Sequence, residues 1–338
     1  MNKVLTDAEY ISCLHPLEER YYKISMTIAI IFWVILTLGT FGLGLMYVWL
    51  VGLSIVIGHA IFLAHIRGYG LKIWPKQFPE MYEIAKNTGI KLGLDRMPDI
   101  YIYNMDGLFN AFATHFFSRN FIIITTAILD ACDGDTKKIE FIIAHEMTHL
   151  QRNHTRNQFT LAPSRLIPWL GSAYSRACEN SCDGVAGKFI MNDKNEAIRW
   201  ALLLPTADKT RANHVDIDAY EEQRKESTWF WMTLVEIKAS HPFSFNRVAF
   251  LRKIFGEEIA PVPRSAFGIL IAPFFSVQAL VFIYILLIFV FIGNSISSYK
   301  NWAWIEKNAT HNEDVSRYED ESWGDAGEID YRLPSSRE

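Results

Sequence analysis

From Ile24 to Ile66 the chain carries no Asp, Glu, Lys or Arg. An apolar run of about twice the roughly 20 residues that cross a bilayer as helix constrains the fold more than any other feature. It is read as a transmembrane hairpin over residues 24–66, with helices at about 24–41 and 45–66. Gly39, Gly42 and Gly44 supply its turn. A cleaved leader fits poorly. Its apolar region spans only about 7–15 residues, and a charged lead, residues 1–23, precedes the run here. A second apolar run, residues 267–293, is long enough for one tilted span and short for two, with a re-entrant pair left open. Pro273 near its start can kink it.

Basic residues near the spans set the orientation. Lys3, Arg20 and Lys23 precede the hairpin, and Arg67, Lys72 and Lys76 follow it. Arg252, Lys253 and Arg264 precede the third run, whereas only Lys300 and Lys307 lie close behind it. Residues 67–266 are therefore expected to face the cytoplasm. The tail, residues 294–338, is acidic and polar and reads as disordered. A net charge of -4 gives no reason to expect nucleic acid as a partner. The spans carry almost no ionisable residues, which speaks against transport. Cys13, Cys132, Cys178 and Cys182 form no disulfide framework and read as buried small apolar groups. Oligomeric state is not legible.

The middle segment reads as α+β. Helical periodicity runs over Pro79–Leu92, with Met81, Ile84, Ala85 and Ile90 on one face. Asp99–Tyr103 and Phe121–Thr126 read as short strands. Asp135 or Thr136 can cap the helix that follows. That helix contains His145-Glu146-Met147-Thr148-His149. Two histidines four apart share a face, so both imidazoles can address one ion. Zinc accepts neutral imidazole nitrogen and keeps a position open when catalytic. Glu146, next to the first histidine, is placed as the general base of a metallopeptidase, and a metal lowers the pKa of the water it activates from 15.7 to about 7. Phe141, Ile142, Ile143 and Ala144 lead directly into His145, which puts the motif inside the fold. Buried histidines and a buried Glu need partners, and a metal supplies them.

A third ligand is needed. Glu179 and Asp183 lie four apart on a helical pattern downstream. Glu179 can complete the site while Asp183 orients a ligand histidine. Equally, both can pair with Arg176 or Lys188 on a solvated face, and the residues alone leave this open.

Four segments together resemble the HtpX-like membrane metallopeptidases, gluzincins related to the CAAX prenyl endopeptidases. They are Asn110-Ala111-Phe112-Ala113 before an Ile-rich strand, His145–His149, Glu179 with Asp183, and Ser240-His241-Pro242 with Arg247 and Leu251. The resemblance covers about residues 68–256. It implies a mainly helical zincin-type peptidase domain with a small β-sheet, zinc on His145, His149 and Glu179, and Glu146 as base. It also implies an edge strand starting at Asn110, Ala111 and Phe112 that binds substrate backbone. His241 would stabilise the oxyanion, and Arg247, with Asp183, would support the metal's carboxylates. The implied setting is a multi-pass protein of a bacterial inner membrane that cleaves membrane-associated or misfolded proteins. The alternatives are a processing protease for a lipidated or secreted peptide and a non-proteolytic membrane adaptor. Two features depart from the pattern. Gly184 stands where members often carry Arg, so helix packing there is expected to differ. Three spans are also fewer than usual, which weakens a claim to prenylated substrates.

Two other histidines need a reading. His154 lies nine after His145, but the metzincin motif needs a glycine between and Leu150-Gln151-Arg152-Asn153 has none. His154 is therefore expected as polar surface at the helix end, favoured by the helix dipole. His59, inside the second span, is expected to hydrogen-bond a neighbouring helix. The stretch Leu166–Tyr174 reads equally as membrane-surface contact, cleft lid or core.

Overall fold

A computed structural model describes residues 4, 7–167, 169–226 and 229–271. The chain divides into two compact units, Met1–Ser276 and Val277–Glu338. The second unit, with the acidic tail, and the third apolar run beyond residue 271 lie outside the described residues.

The N-terminal lead forms a short helix α1 (Ala8–Ser12), capped by the Asp7 carboxylate. Two long apolar helices follow, α2 (Glu18–Gly39) and α3 (Leu43–Tyr69). Both are long and apolar enough to cross a membrane. Each extends beyond the uncharged run, α2 through Glu18 at its start and α3 through Arg67 at its end. The turn between them is Thr40-Phe41-Gly42 rather than the three glycines expected, since Gly39 and Gly44 lie within the helices. Of those three glycines only Gly42 needs its freedom, at φ 85°.

Strand β1 (Leu71–Lys72) and helix α4 (Pro79–Lys91) lead to β2 (Asp99–Tyr103), β3 (Ala111–Phe116) and β4 (Arg119–Thr125). The sheet order is β1-β2-β4-β3. β4 pairs parallel with β2 and antiparallel with β3, with Ala111 opposite Ile124 and Phe116 opposite Arg119. Thr126, expected at the strand's end, instead begins α5 (Thr126–Cys132). Successive residues of β4 face opposite sides of the sheet. Ile122 and Ile124 join the main core, whereas Phe121 and Ile123, with Tyr101, pack against Leu63 and Ile66 of α3. Burial on both faces explains why the strand is apolar without alternation.

Helix α6 (Thr136–Gln151) covers the sheet's inner face through Ile139, Ile142 and Ile143. Asp135, not Thr136, caps it, accepting from Lys137 N at 3.1 Å. A 3₁₀ turn (Ala162–Leu166) precedes α7 (Leu170–Gly184), which runs on into a π-helical segment (Val185–Ile190). The remaining helices are α8 (Lys194–Thr206), α9 (Lys209–His214), α10 (Ile217–Glu226), α11 (Phe230–Lys238), α12 (Ser244–Ile254) and α13 (Ala266–Ile271). The architecture is α+β, mainly helical with one small sheet.

The lead packs into the same core. Tyr10 and Cys13 are fully buried, and Tyr10 Oη donates to Gln151 Oε1 at 2.6 Å. At Gly184 the Cys13 carbonyl comes so close that a Cβ would collide with it. The glycine is therefore the condition for the lead to lie against α7. Gly184→Ala is expected to cost about 1–3 kcal/mol by overpacking, read as a lowered melting temperature of the detergent-solubilised protein.

Candidate metal centre

His145 and His149 sit one turn apart on α6, both turned toward α7. Glu179 projects from α7 between them. His145 Nε2 and His149 Nε2 are 3.3 Å apart. Glu179 Oε2 is 3.3 Å from His145 Nε2, and Oε1 is 3.4 Å from His149 Nε2. Tetrahedral ligands at the zinc–nitrogen distance of 2.0–2.1 Å are separated by about 3.3 Å. The three groups thus have the spacing of one face of such a site.

The charge balance points the same way. Glu146, Glu179 and Asp183 are all buried, and Arg247 is the buried cation among them. Three carboxylates against one guanidinium leave two formal negative charges inside the fold. Buried charge at that level is costly unless compensated, and a divalent cation compensates it. Cys182 is an alternative donor, since its sulfur groups with both histidines within 4.8 Å. Burial, with the Glu179 charge beside it, holds its thiol well above the ordinary range, whereas Glu179 is held in its charged form 3.3–3.4 Å from both imidazole nitrogens. Glu179 is the better third group.

Asp183 Oδ1 lies 2.9 Å from His145 Nδ1. Arg247, from α12, donates to both Asp183 oxygens, Nε to Oδ2 at 2.6 Å and Nη2 to Oδ1 at 2.5 Å. The fork geometry holds the carboxylate, and the carboxylate holds the ring with Nε2 toward Glu179. Arg176 and Lys188, the alternative partners, are engaged elsewhere, on the carbonyls of Glu236, Ile237 and Ala239 and of Ile254.

His241 comes from the loop between α11 and α12, its Nδ1 3.2 Å from Glu179 Oε2. The hydrogen bond to Glu179 raises its pKa, and at 66 % exposure the ring remains open to solvent. Burial alone would lower the pKa of His145, but bonds to Asp183 and Glu179 prevail and raise it. Burial would raise that of Glu179, but the three imidazoles around it hold it well below the usual range.

Asn110 is tied to the end of β4 by Thr125, whose hydroxyl donates to its carbonyl at 2.7 Å. β3 follows it at the sheet's edge. Ala111 and Ala113 face the main core, whereas Phe112 and Phe116 turn toward α3. The small residues leave room, and a cavity of about 60 Å³ lies between Asn110, Ala111, His145, Glu146 and Arg247. A second, of about 260 Å³, lies on the other side of Glu179, lined by His149, Tyr174 and His241. Leu166 and Trp169 are exposed, while Gly171 and Tyr174 line this second cavity.

Two histidines differ from expectation. His59 bonds not to a helix but to the edge strand, Nε2 to Thr114 Oγ1 at 3.0 Å, because the end of α3 lies across the sheet. His154 is buried, not surface. Asn153, at φ 58°, turns the chain back over the end of α6. His154 Nδ1 then meets His149 Nδ1 at 3.0 Å, and His154 Nε2 meets Glu18 Oε1 at 3.0 Å. Burial lowers the His154 pKa to about 4, against the pull of Glu18. Glu18 was not singled out from the sequence at all. Asn153 was the available signal for the reversal, since Asn adopts left-handed backbone readily.

Residues 75–166 match the family model described as peptidase family M48. The match is consistent with an HtpX-like metallopeptidase related to the CAAX prenyl endopeptidases. It contains the His145–His149 pair and ends before Glu179, so Glu179, Asp183, His241 and Arg247 rest on geometry. No curated protein and no solved structure matches the chain.

Arg247→Leu is expected to destabilise the protein by about 3–5 kcal/mol, because it strands a buried carboxylate; thermal denaturation measures it. A second expectation concerns the metal-free protein. His145 has a raised folded pKa, so its contribution is complete below its ordinary value of about 6.5 and is lost as pH rises above it. The metal-free melting temperature should therefore fall through the alkaline range. With zinc loaded, His145 is already deprotonated and this loss should vanish.

Proposed function

We propose that this chain, a metallopeptidase by its M48 segment, is a membrane-anchored zinc endopeptidase that hydrolyses peptide bonds of membrane-associated or misfolded proteins. The observation that carries the reading is the 3.3–3.4 Å spacing of the His145, His149 and Glu179 donor atoms, with Glu146 beside them in the cleft under the edge strand. His145, His149 and Glu179 would hold the ion. When bound, zinc would polarise the scissile carbonyl and acidify the attacking water. Glu146 takes the water's proton and passes it to the departing amine, a single carboxylate serving as base and then acid. Asn110, Ala111 and Phe112 begin the edge that receives an extended substrate backbone as an added strand, with main-chain hydrogen bonds supplying sequence-tolerant affinity. His241, exposed and adjacent to Glu179, donates to the oxygen on which charge develops. Asp183 and Arg247 do no chemistry; they hold His145 in one orientation.

Membrane anchorage is supported by the surface of α2 and α3. Ile35, Leu38, Phe41, Met46, Tyr47 and Trp49 are all more than half exposed. An apolar surface of this extent needs a non-aqueous environment. α2 also meets the segment between α6 and α7, where Trp33 Nε1 donates to Thr160 O at 3.3 Å and its ring stacks on Phe159. The end of α3 meets the edge strand through His59 and Phe62. With the hairpin read as membrane-embedded, these contacts support a cleft next to the bilayer. Residues 24–66 are the hairpin, residues 67–266 the peptidase domain, and the basic flanks orient that domain toward the cytoplasm.

The test is Glu146→Gln, purified in detergent beside the wild type. Zinc content should be retained, and cleavage of an unfolded membrane-protein substrate should fall by about 10²–10⁴-fold. Equal cleavage by both proteins would remove the mechanism, and zinc absent from both would remove the site.

A further inference from the structure

Glu18 opens the first apolar helix, yet only 4 % of it is exposed. Its Oε1 accepts from Arg152, Nε at 2.7 Å and Nη2 at 2.6 Å, and lies 3.0 Å from His154 Nε2. The opposite nitrogen of His154 meets Nδ1 of His149. If His149 presents Nε2 to a metal, the hydrogens along this line have one arrangement. His149 carries its hydrogen on Nδ1, and His154 Nδ1 accepts it. His154 then carries its own hydrogen on Nε2 and donates it to Glu18. Each imidazole nitrogen on the line has a partner. His145 reaches a carboxylate directly, through Asp183; His149 reaches one through an intervening imidazole.

We propose that Glu18, acting through His154, is the positioning carboxylate of His149, so that the first turn of α2 is a working part of the metal centre. The proposal rests on the zinc reading of His145, His149 and Glu179. Partners behind a ligand histidine fix its tautomer, hold its ring and raise its basicity. Here the imidazole, His154, lies inside the M48-matched segment, whereas the carboxylate, Glu18, lies outside it on the first apolar helix. The lead holds Glu18 in place through two further bonds, Tyr10 Oη to Gln151 and His15 N to Ser181 Oγ at 2.9 Å. Metal affinity and seating of the membrane anchor are thereby one property.

A rival reading uses the same residues. Glu18, His154 and Cys178 bring an oxygen, a nitrogen and a sulfur within 4.8 Å of one another, the donor set of a separate cation site. Glu18 Oε2 has no hydrogen-bond partner among the described residues and is open to such a cation, but the Arg152 guanidinium on Oε1 would repel a second positive charge there.

The experiment compares full-length wild type, Glu18→Gln, His154→Phe and Arg152→Gln in detergent. Zinc affinity is read by competition with a chromophoric chelator, and melting temperature is read on the metal-free forms. Visible absorption of the cobalt-loaded proteins reports ligand geometry. Glu18→Gln and His154→Phe should weaken zinc binding by about 10–100-fold and shift the cobalt bands. Arg152→Gln should lower the melting temperature while keeping wild-type zinc affinity and cobalt bands. Unchanged affinity in Glu18→Gln and His154→Phe overturns the relay. So does affinity that merely follows melting temperature across all three variants, which would make Glu18 a structural ion-pair partner. Two zinc ions in the wild type, with one lost in both Glu18→Gln and Cys178→Ser, overturns it in favour of the separate cation site. A wild type that binds no zinc fails the metal-centre reading itself.

Discussion

Buried negative charge is the constraint around which this fold is arranged. Glu146, Glu179 and Asp183 lie inside a helical core with Arg247 as their buried guanidinium. Asp183 is the hinge of that arrangement, because it links three helices at once. His145 reaches it from α6 and Arg247 reaches it from α12, while Asp183 itself stands on α7. Packing α6 against α7 without these bonds would strand charged groups in an apolar interior, at a cost comparable to the whole stability of a domain. In the metal-free protein, the raised proton affinity of His145 offsets part of the deficit. A divalent ion would offset it fully.

The small sheet does a different job. Its central strand is buried on both faces, by α6 on one side and by the end of α3 on the other. That sandwich leaves β3 at the edge, with its alanines toward the main core and its phenylalanines toward α3. The two apolar helices therefore also pack against the rest of the fold. α2 contributes Glu18 and Trp33, and α3 contributes His59 and Leu63, to contacts with the part that carries the chemistry. The proposed cleft and the proposed membrane anchor share side chains.

Much of this was legible from local pattern. The uncharged run from Ile24 to Ile66 announced two long apolar helices, because only helix length and composition enter that inference. Helix α6 was legible from its 3.6-residue period, and β2 and β4 from short runs of Ile and Tyr. The errors came where position depends on a neighbour. Thr126 belongs to a helix because α5 turns away from the sheet. Gly39 and Gly44 are helical because the chain reverses through Phe41 and Gly42, both in left-handed backbone. His154 looked like helix-end surface because spacing along a helix says nothing once Asn153 reverses the chain.

By itself, the sequence determined the apolar helices, the α+β class, and a helix face presenting His145, Glu146 and His149. These follow from periodicity and residue chemistry within one element. Only the tertiary structure decided that Glu179 closes on both histidines rather than on Arg176. The same holds for Arg247 gripping Asp183 and for Glu18 reaching across 136 residues to His154. Such contacts depend on how α2, α6, α7 and α12 pack, and no local periodicity encodes which side chains then share a buried charge.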